Sequence, residues 1–223
     1  MFVVEGVKLV QELLASGLHI ETIYSTETDD HTAPNVDVVS ISKKELERIS
    51  ALKTPNKTLA TVRIPTEKSI DWQRPLLLML DGISDPGNLG TIIRTAKWFG
   101  VSQAICSQDC VDAYDHKVVQ STMGALFHVD MIYTSLESSL EAGANHGFHS
   151  VGAAMNGNSL YAIEKTNKTI LVIGSESHGI SAEILARCNE HCTIPNREKE
   201  QRVESLNAGI ATAIILAELT RNG

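Results

Sequence analysis

The sequence has no hydrophobic run approaching the length of a membrane-spanning helix. About 20 consecutive apolar residues are needed to cross a bilayer, and the uninterrupted apolar runs in the 223 residues are far shorter. The start of the chain also has neither the basic segment nor the cleavage site of a secretory signal peptide. We therefore expect a soluble, globular, cytoplasmic protein that does not bind a membrane.

Cysteine is scarce and occurs as two C-x3-C pairs. Cys106 precedes Cys110, and Cys188 precedes Cys192, with His191 beside the second pair. Zinc sites tolerate such spacing, but both pairs stand at the ends of predicted elements. A hydrophobic content of 43% also supplies a core without metal. A metal site is thus the minority interpretation, and a disulfide is less favoured still in a cytosolic chain.

Two further features are missing or weak. No G-x-G-x-x-G motif follows any predicted strand, which argues against an NAD-type oxidoreductase. The net charge of −8 argues against a protein that holds nucleic acid by phosphate neutralisation alone. Residues 43–63 are the exception, because this segment contains six lysine and arginine residues but only two glutamates. A solvated face is the simpler explanation of that cluster, and an RNA-binding surface is the alternative.

The order of predicted elements divides the chain into two units. Residues 1–65 predict a small α/β domain, and Ser42 with Glu45 forms a capping box in it. Residues 66–75 predict a linker, and residues 76–223 a larger α/β domain. In the small domain we predict helices at 6–16 and after Ser42, and strands at 20–25, 36–41 and 60–62. In the large domain, strands at 76–81, 102–106, 127–132, 148–154 and 169–173 alternate with helical stretches, as in a mostly parallel sheet.

The segment from Leu76 to Val101 joins a buried strand, a turn and a helix. Leu76 to Leu80 is apolar throughout, as a strand covered on both faces requires. Residues 85–87, Asp-Pro-Gly, predict a turn, and Asn88 predicts the N-cap of the next helix. Arg94 is the only charged residue in the first two turns of that helix. From spacing alone, a solvated arginine and a ligand-binding arginine are equally good interpretations.

Three stretches in a fixed order carry a family resemblance. They are N-L-G-T-I-I-R-T-A at 88–96, I-G-S-E-S-H-G-I at 173–180, and I-P at 194–195 followed by E-S-L-N at 204–207. Together they resemble the signatures of the SpoU/TrmH family of RNA ribose 2′-O-methyltransferases, of the knotted SPOUT class. F-V-V-E-G-V-K-L-V at 2–10 and L-K-T-P-N-K-T-L-A at 52–60 resemble its amino-terminal substrate-binding module, which has a ribosomal-protein-like fold.

The resemblance implies a fold, a reaction and a set of residues. The fold is α/β with a mostly parallel sheet and a deep carboxyl-terminal trefoil knot, plus the small amino-terminal domain. The reaction is methyl transfer from S-adenosylmethionine to a ribose 2′-hydroxyl of ribosomal or transfer RNA, in a homodimer and without metal. The implied catalytic residues are Arg94, Asn88, Glu176, Ser205 and Asn207. The implied cofactor-binding residues are Ala153, Ala154, Gly174, Gly179, Ile194 and Leu206, and the implied RNA-binding residues are Lys43, Lys44, Lys53 and Lys57.

Roles for these residues follow from their chemistry. Because a guanidinium resists deprotonation, we expect Arg94 to orient the 2′-hydroxyl and stabilise the developing alkoxide rather than to take the proton. Asn88, Ser205 and Asn207 would hold Arg94 and the substrate in place. Glu176 either ties its loop to Arg94 or Asn88, or contacts the substrate directly, and the sequence favours neither.

The chain departs from the family between Pro195 and Ser205. Residues 196–204, NREKEQRVE, are longer and more charged than the short glycine-containing loop the resemblance implies, and they place Arg197, Lys199 and Arg202 near the site. The change keeps open the alternative of a catalytically inactive RNA-binding or ribosome-associated protein. A methyltransferase with a non-RNA substrate is a further alternative, which only the acidic net charge supports. The following helix, predicted over 205–217, has no charged residue, which predicts burial on every side.

Overall fold

A computed structural model describes residues 1–27, 36–197 and 205–221. The first unit contains a four-stranded sheet in the order β1-β4-β2-β3, with two helices. Its elements are β1 (Phe2–Glu5), α1 (Val7–Ser16), β2 (Ile20–Ser25), β3 (Asp37–Ser40), α2 (Lys43–Ile49) and β4 (Thr58–Val62). The predicted capping box at Ser42 and Glu45 is confirmed, since each backbone N–H is bonded by the other residue's side chain. The sequence did not predict β1.

The second unit is a six-stranded parallel sheet in the order β10-β8-β9-β5-β6-β7. Its strands are β5 (Leu76–Asp81), β6 (Gln103–Cys106), β7 (Asp130–Tyr133), β8 (His149–Ser159), β9 (Thr169–Gly174) and β10 (Glu190–Thr193). Its helices are α3 (Pro86–Trp98), α4 (His116–Ser121), α5 (Leu136–Asn145), α6 (Ala182–Leu185) and α7 (Ala208–Leu219). The predicted α/β class and parallel sheet are confirmed, whereas the trefoil knot stays a prediction.

The central strand β5 shows why the sheet is covered on both faces. Successive side chains of a strand point to opposite faces. Leu77 and Met79 pack with residues of α5 and α6, and Leu78 and Leu80 pack with residues of α3, α4 and α7. The core under α3 continues into the amino-terminal unit, where it includes Phe2.

The segment predicted as a linker is packed along the large domain. The Gln103 side chain accepts from the N–H of Asp71 (2.8 Å) and donates to the carbonyl of Ser69 (3.3 Å). Trp72 stacks on the ring of His146 at 5.1 Å. The two units are therefore joined by a tied segment, and the domain bounds 1–65, 66–75 and 76–223 stay a prediction.

Several predicted boundaries are wrong. Residues 85–87 do not form a separate turn, because Pro86 is the first residue of α3 and the Asp85 carboxylate accepts from the N–H of Asn88 (2.8 Å). The N-cap of α3 is therefore Asp85, not Asn88. A 3-10 turn at Ala125–His128 delays the strand predicted at 127 to Asp130. The strand predicted over 148–154 continues to Ser159, and β10 was not predicted.

The last helix also differs from its prediction. It begins at Ala208, after Asn207 as N-cap, instead of at 205. It is not buried on every side of this chain, because Ile210 is 52% exposed and Ala217 is exposed on the same face. The opposite face packs against α3, and Thr212 and Leu216 are fully buried there. The one charged residue of α7, Glu218, is 8% exposed and pairs with Lys165 and Arg221. The open face of α7 around Ile210 is therefore apolar and leaves room for a further contact.

Candidate active site

The predicted cofactor residues come together at one edge of the sheet. Strands β10, β8 and β9 are neighbours and run parallel, so their carboxyl ends meet. Ala153 and Ala154 follow Gly152, the last residue of β8 in register with β9. Gly174 ends β9, and Ile194 directly follows β10. Leu206, 44% exposed, precedes α7.

The loop after β9 is a tight turn closed by two backbone hydrogen bonds between Ser175 and Gly179 (2.9 and 3.1 Å). Gly179 has φ +68°, a conformation that favours glycine. A Cβ on Gly174 would lie 2.0 Å from the carbonyl carbon of Gly179. The missing side chain at 174 therefore makes room for the returning chain.

Asn207 is the centre of a hydrogen-bond network that we name the asparagine network, made of Asn88, Glu176 and Asn207. The Asn207 amide nitrogen donates to Oδ1 of Asn88 (2.7 Å) and to Oε1 of Glu176 (2.5 Å). Its Oδ1 accepts from the N–H groups of Gly209 and Ile210, which caps α7. One side chain thereby joins α3, the loop after β9 and the start of α7.

Glu176 is held mainly within this network. Its Oε1 accepts from Asn207 and from the backbone N–H of Ala208 (3.1 Å). Glu176 is thus linked to Asn88 through Asn207, which agrees with the expectation that Glu176 ties its loop to Arg94 or Asn88. Among the described residues, Glu176 has no bond to Arg94. Such fixed donors at a carboxylate hold a loop in one conformation.

Arg94 and Ser205 stand outside the asparagine network. Both are exposed, and neither side chain forms a hydrogen bond or ion pair with a described residue. At 100° and about 1.5 Å per residue, Arg94 is roughly 9 Å along α3 from Asn88 and about a third of a turn around it. The expectation that Asn88, Ser205 and Asn207 hold Arg94 is therefore not met within a single chain. Arg94 is free to meet a ligand.

Sequence reasoning missed two aspartates that position this edge. The Asp81 carboxylate, at the end of β5, accepts from the N–H of Ser181 (2.7 Å) and so ties β5 to the start of α6. Asp85 caps α3, which leaves the Asn88 side chain free to bond Asn207. Asp before Pro, with Pro at the first helical position, was the available signal for Asp85.

The surroundings of the cysteines bear on the metal site that their spacing left open. No group of three or more histidine, cysteine, aspartate or glutamate side chains that could hold a metal occurs in residues 1–27, 36–197 and 205–221. Burial, followed by the nearby Asp81 carboxylate, raises the pKa of Cys188 to about 11. A groove of about 330 Å³ lies beside this thiol, between residues 156–158 and 186–191, and its lining includes none of the six predicted cofactor residues.

Comparisons with known proteins match this geometry. The family model "SpoU rRNA Methylase family" matches residues 75–217, and an "MRM3-like substrate binding domain" model matches residues 1–60. The chain belongs to the SpoU rRNA methylase family. The predicted family is thus confirmed, and with it the class of enzyme, an RNA methyltransferase.

Similar SpoU proteins cover nearly the whole chain. The 23S rRNA (guanosine(2553)-2′-O)-methyltransferase RlmP of Bacillus subtilis is 28% identical, over 98% of this chain and 88% of that protein. A TrmH-family RNA methyltransferase structure from Porphyromonas gingivalis is 36% identical with a TM-score of 0.90, covering 100% of this chain and 90% of that one. The AviRb methyltransferase of Streptomyces viridochromogenes, solved with AdoMet, is 25% identical with a TM-score of 0.84, covering 99% and 89%.

Proposed function

We propose that the protein transfers a methyl group from S-adenosylmethionine to a ribose 2′-hydroxyl of ribosomal or transfer RNA in the cytoplasm. The observation that carries this proposal is the asparagine network, which fixes α3 and α7 beside the cofactor loops. The similar RlmP is a 2′-O-methyltransferase of 23S rRNA, and the similar AviRb was solved with AdoMet. No helix in the described part of the chain is long and apolar enough to span a membrane.

The residues fit S-adenosylmethionine at the edge where β10, β8 and β9 end. Exposed apolar side chains flank the loops there, with Met155 58% and Leu206 44% exposed, which suits the flat face of an adenine. The turn at 175–179 offers backbone groups for the polar parts of the cofactor. Bound there, the cofactor would supply the electrophilic methyl carbon.

The protein's own part of the reaction is positioning. Asn88 and Glu176, joined by Asn207, fix the wall next to the cofactor loops. Arg94, exposed and unpaired within the described chain, orients the ribose hydroxyl and its neighbouring phosphate. It stabilises negative charge as the hydroxyl passes its proton to that phosphate or to water. A planar guanidinium can bond both groups at once. Ser205, also exposed, would complete the substrate contacts.

We further propose that the working form is a homodimer built on α3 and α7. The exposed face of α7 carries Ile210, and the end of α3 carries Trp98, which is 85% exposed. Large apolar side chains on adjoining helices are typical of an interface. Since Arg94 lies on the exposed side of α3, a partner packed there would bring its own cofactor loops toward Arg94 and so complete the site.

The test is methylation in vitro with labelled S-adenosylmethionine and unmodified ribosomal and transfer RNA. After nuclease digestion, the label is expected in a 2′-O-methylated nucleotide, and mapping RNA from cells with and without the gene would locate it. Label in a base, or in no RNA, would contradict the proposal. Calorimetry showing no binding of S-adenosylmethionine to the folded protein would favour the inactive alternative.

Sedimentation tests the dimer. Ile210→Asp is expected to give monomers at micromolar concentration, because a carboxylate would be buried without a partner. Ile49→Asp makes the same change at a residue that is 50% exposed on α2 of the amino-terminal unit, so it is the control and should leave the mass unchanged. If the wild-type protein sediments as a monomer at micromolar concentration, the proposed homodimer is contradicted.

A further inference from the structure

The two units of the chain form a groove where they meet. It has a volume of about 480 Å³ and lies between residues 51–53 of the amino-terminal unit and the α4 residues His116, Lys117, Gln120 and Ser121. Ligand sites fall in this range of sizes. We call it the inter-unit groove. It is separate from the loops that would hold the cofactor.

The walls of the inter-unit groove are held by a buried carboxylate. Glu5, 2% exposed, accepts from the Ser50 hydroxyl and from the backbone N–H of Ala51 (3.0 Å). From the other side, Nε2 of His116 lies 2.9 Å from the same carboxylate. The Gln120 amide donates to the carbonyl of Glu5 (3.1 Å). Because both walls bond to one residue of β1, their spacing is fixed before any ligand arrives.

The groove presents positive charge from both walls. Lys53 belongs to one wall and Lys117 to the other; both are exposed, and neither side chain has a partner among the described residues. Among the residues that the structure describes, no acidic one lines the groove. The nearby Asp115 carboxylate caps α4 by accepting from the N–H of Lys117. Leu52 and Ala51 add apolar surface between the charges.

The α4 wall touches the helix that carries the predicted catalytic side chains. The Ser121 hydroxyl donates to the carbonyl of Pro86 (3.2 Å), and a Cβ on Gly90 would lie 2.0 Å from that hydroxyl. Gly90 is two residues from Asn88 in α3. The groove therefore approaches within roughly one helix diameter, ~10 Å, of the asparagine network.

We propose that the inter-unit groove binds a phosphate-ribose segment of the RNA substrate, with Lys53 and Lys117 contacting its phosphates and the apolar floor contacting a base. This inference rests on the proposed function only in taking RNA as the ligand. Opposed lysines favour a polyanion, and the apolar surface between them favours nucleotides over a compact anion. The fixed spacing of the two walls selects a strand that runs from the amino-terminal unit toward α3.

Charge reversal tests the phosphate contacts in the full-length protein. In filter binding of an unmodified 23S rRNA transcript over a range of KCl concentrations, Lys53→Glu and Lys117→Glu should each weaken affinity about 5- to 10-fold. Each should also reduce the slope of log K against log salt by about one. Lys8→Glu, an exposed lysine of α1 outside the groove, makes the same charge change and should have less than a 2-fold effect. Groove variants that behave like Lys8→Glu would overturn the proposal.

Filling the groove tests it without changing charge. Ala51 is exposed and contributes its backbone N–H to Glu5, which a larger side chain leaves in place. Ala51→Trp should weaken RNA binding several-fold with the salt slope and the melting temperature unchanged. Full affinity in a folded Ala51→Trp variant would exclude the groove from the RNA path.

The same measurements separate this inference from the proposed function. If the wild-type protein binds RNA but does not methylate it, the proposed function is contradicted. The groove can still be tested by RNA binding of its variants. Wild-type protein that methylates RNA while both lysine variants bind normally would contradict the groove alone. Binding of S-adenosylmethionine should be equal in all variants, because none of the predicted cofactor residues lines the groove.

Discussion

The side chains of the asparagine network, at the carboxyl edge of the six-stranded sheet, bond to one another. The lysines of the amino-terminal unit instead contact solvent or form surface ion pairs. Asn207 uses both amide hydrogens and its oxygen within the protein. Lys43 and Lys44 lie on α2, where Leu46 is the only buried residue. The side chains of the first region are therefore held in place before the substrate binds. The lysines of the second region are positively charged but contribute little to the stability of the fold.

This contrast separates two kinds of recognition. A hydrogen-bonded network specifies distances within tenths of an ångström, which chemistry on one hydroxyl requires. Exposed cations attract a phosphate backbone in many arrangements and specify little by themselves. The fixed region is therefore expected to govern turnover, and the exposed region to govern affinity and its salt dependence.

The largest effect is expected at Arg94, which belongs to the catalytic region but not to its network. Arg94→Ala should lower single-turnover methylation by on the order of 10² to 10³ with S-adenosylmethionine affinity nearly unchanged, as for a lost electrostatic contact. Arg94→Lys should resemble alanine, because an ammonium lacks the planar fork. Lys97→Ala, on the same helix, is the control. Full activity in either Arg94 variant, or equal loss of stability and activity, would contradict this role.

The second effect concerns the asparagine network. Asn207→Ala removes the cap of α7 and the bonds to Asn88 and Glu176, so it should cost about 1–2 kcal/mol of unfolding free energy and also lower turnover. Asn88→Ala removes one bond and should cost less. Urea unfolding of both variants measures the difference. If Asn88→Ala were the more destabilising, the network would not be centred on Asn207.

The third effect tests the exposed region. Reversing Lys43, Lys44, Lys53 and Lys57 together to Glu should weaken RNA binding and flatten its salt dependence without altering S-adenosylmethionine binding. Within this set, Lys57 already pairs with Glu27 at 2.6 Å. Lys57→Glu alone should therefore change affinity less than Lys43→Glu alone, which makes the same charge change at an exposed lysine of α2. If the salt slope of the fourfold variant is unchanged, the basic residues of 43–63 form a solvated face and do not bind RNA.

The smallest effect is a pH dependence of stability from Cys110. The hydrogen bond from the Cys106 thiol, with help from Ser107 and the N–H of Ile83, lowers the pKa of Cys110 to about 7 from 9.0. Because the pKa of this thiol is lower in the folded than in the unfolded state, the free energy of unfolding should rise from pH 7 to about 9. This contribution to stability is lost as the pH falls through 7. The gain should be modest, because sulfur forms weak hydrogen bonds.

Above pH 9 the trend should reverse. Burial raises the pKa of both Cys188 and Cys192 to about 11, so their contribution to stability falls as pH rises from 9 toward 11. Urea midpoints at pH 7, 8, 9 and 10 measure the profile. Cys110→Ala should remove the rise, and Cys192→Ala should keep it. If the urea midpoint of Cys110→Ala still rises between pH 7 and 9, another titrating group causes the rise.

The sequence predicts what local chemistry decides. β5 follows from an apolar run, and the start of α2 follows from a Ser and a Glu three residues apart, and both agree with the structure. β1 and β10 were missed because their short segments become strands only through pairing with distant partners. The Asn207 to Asn88 bond spans 119 positions, so no local pattern indicates it. The family signatures named all three network residues, but not their contacts.

The position of β5 between β6 and β9 has a consequence for synthesis. Leu76 pairs with Thr169, so one edge of this central strand has no partner until about 90 further residues have been made. At about 5–20 residues per second, translation takes roughly 5–20 s to supply them. During that interval the nascent chain carries an open strand edge with uniformly apolar side chains, the feature that most favours association between chains. Chaperones that cover this edge during synthesis should therefore raise the yield of folded protein.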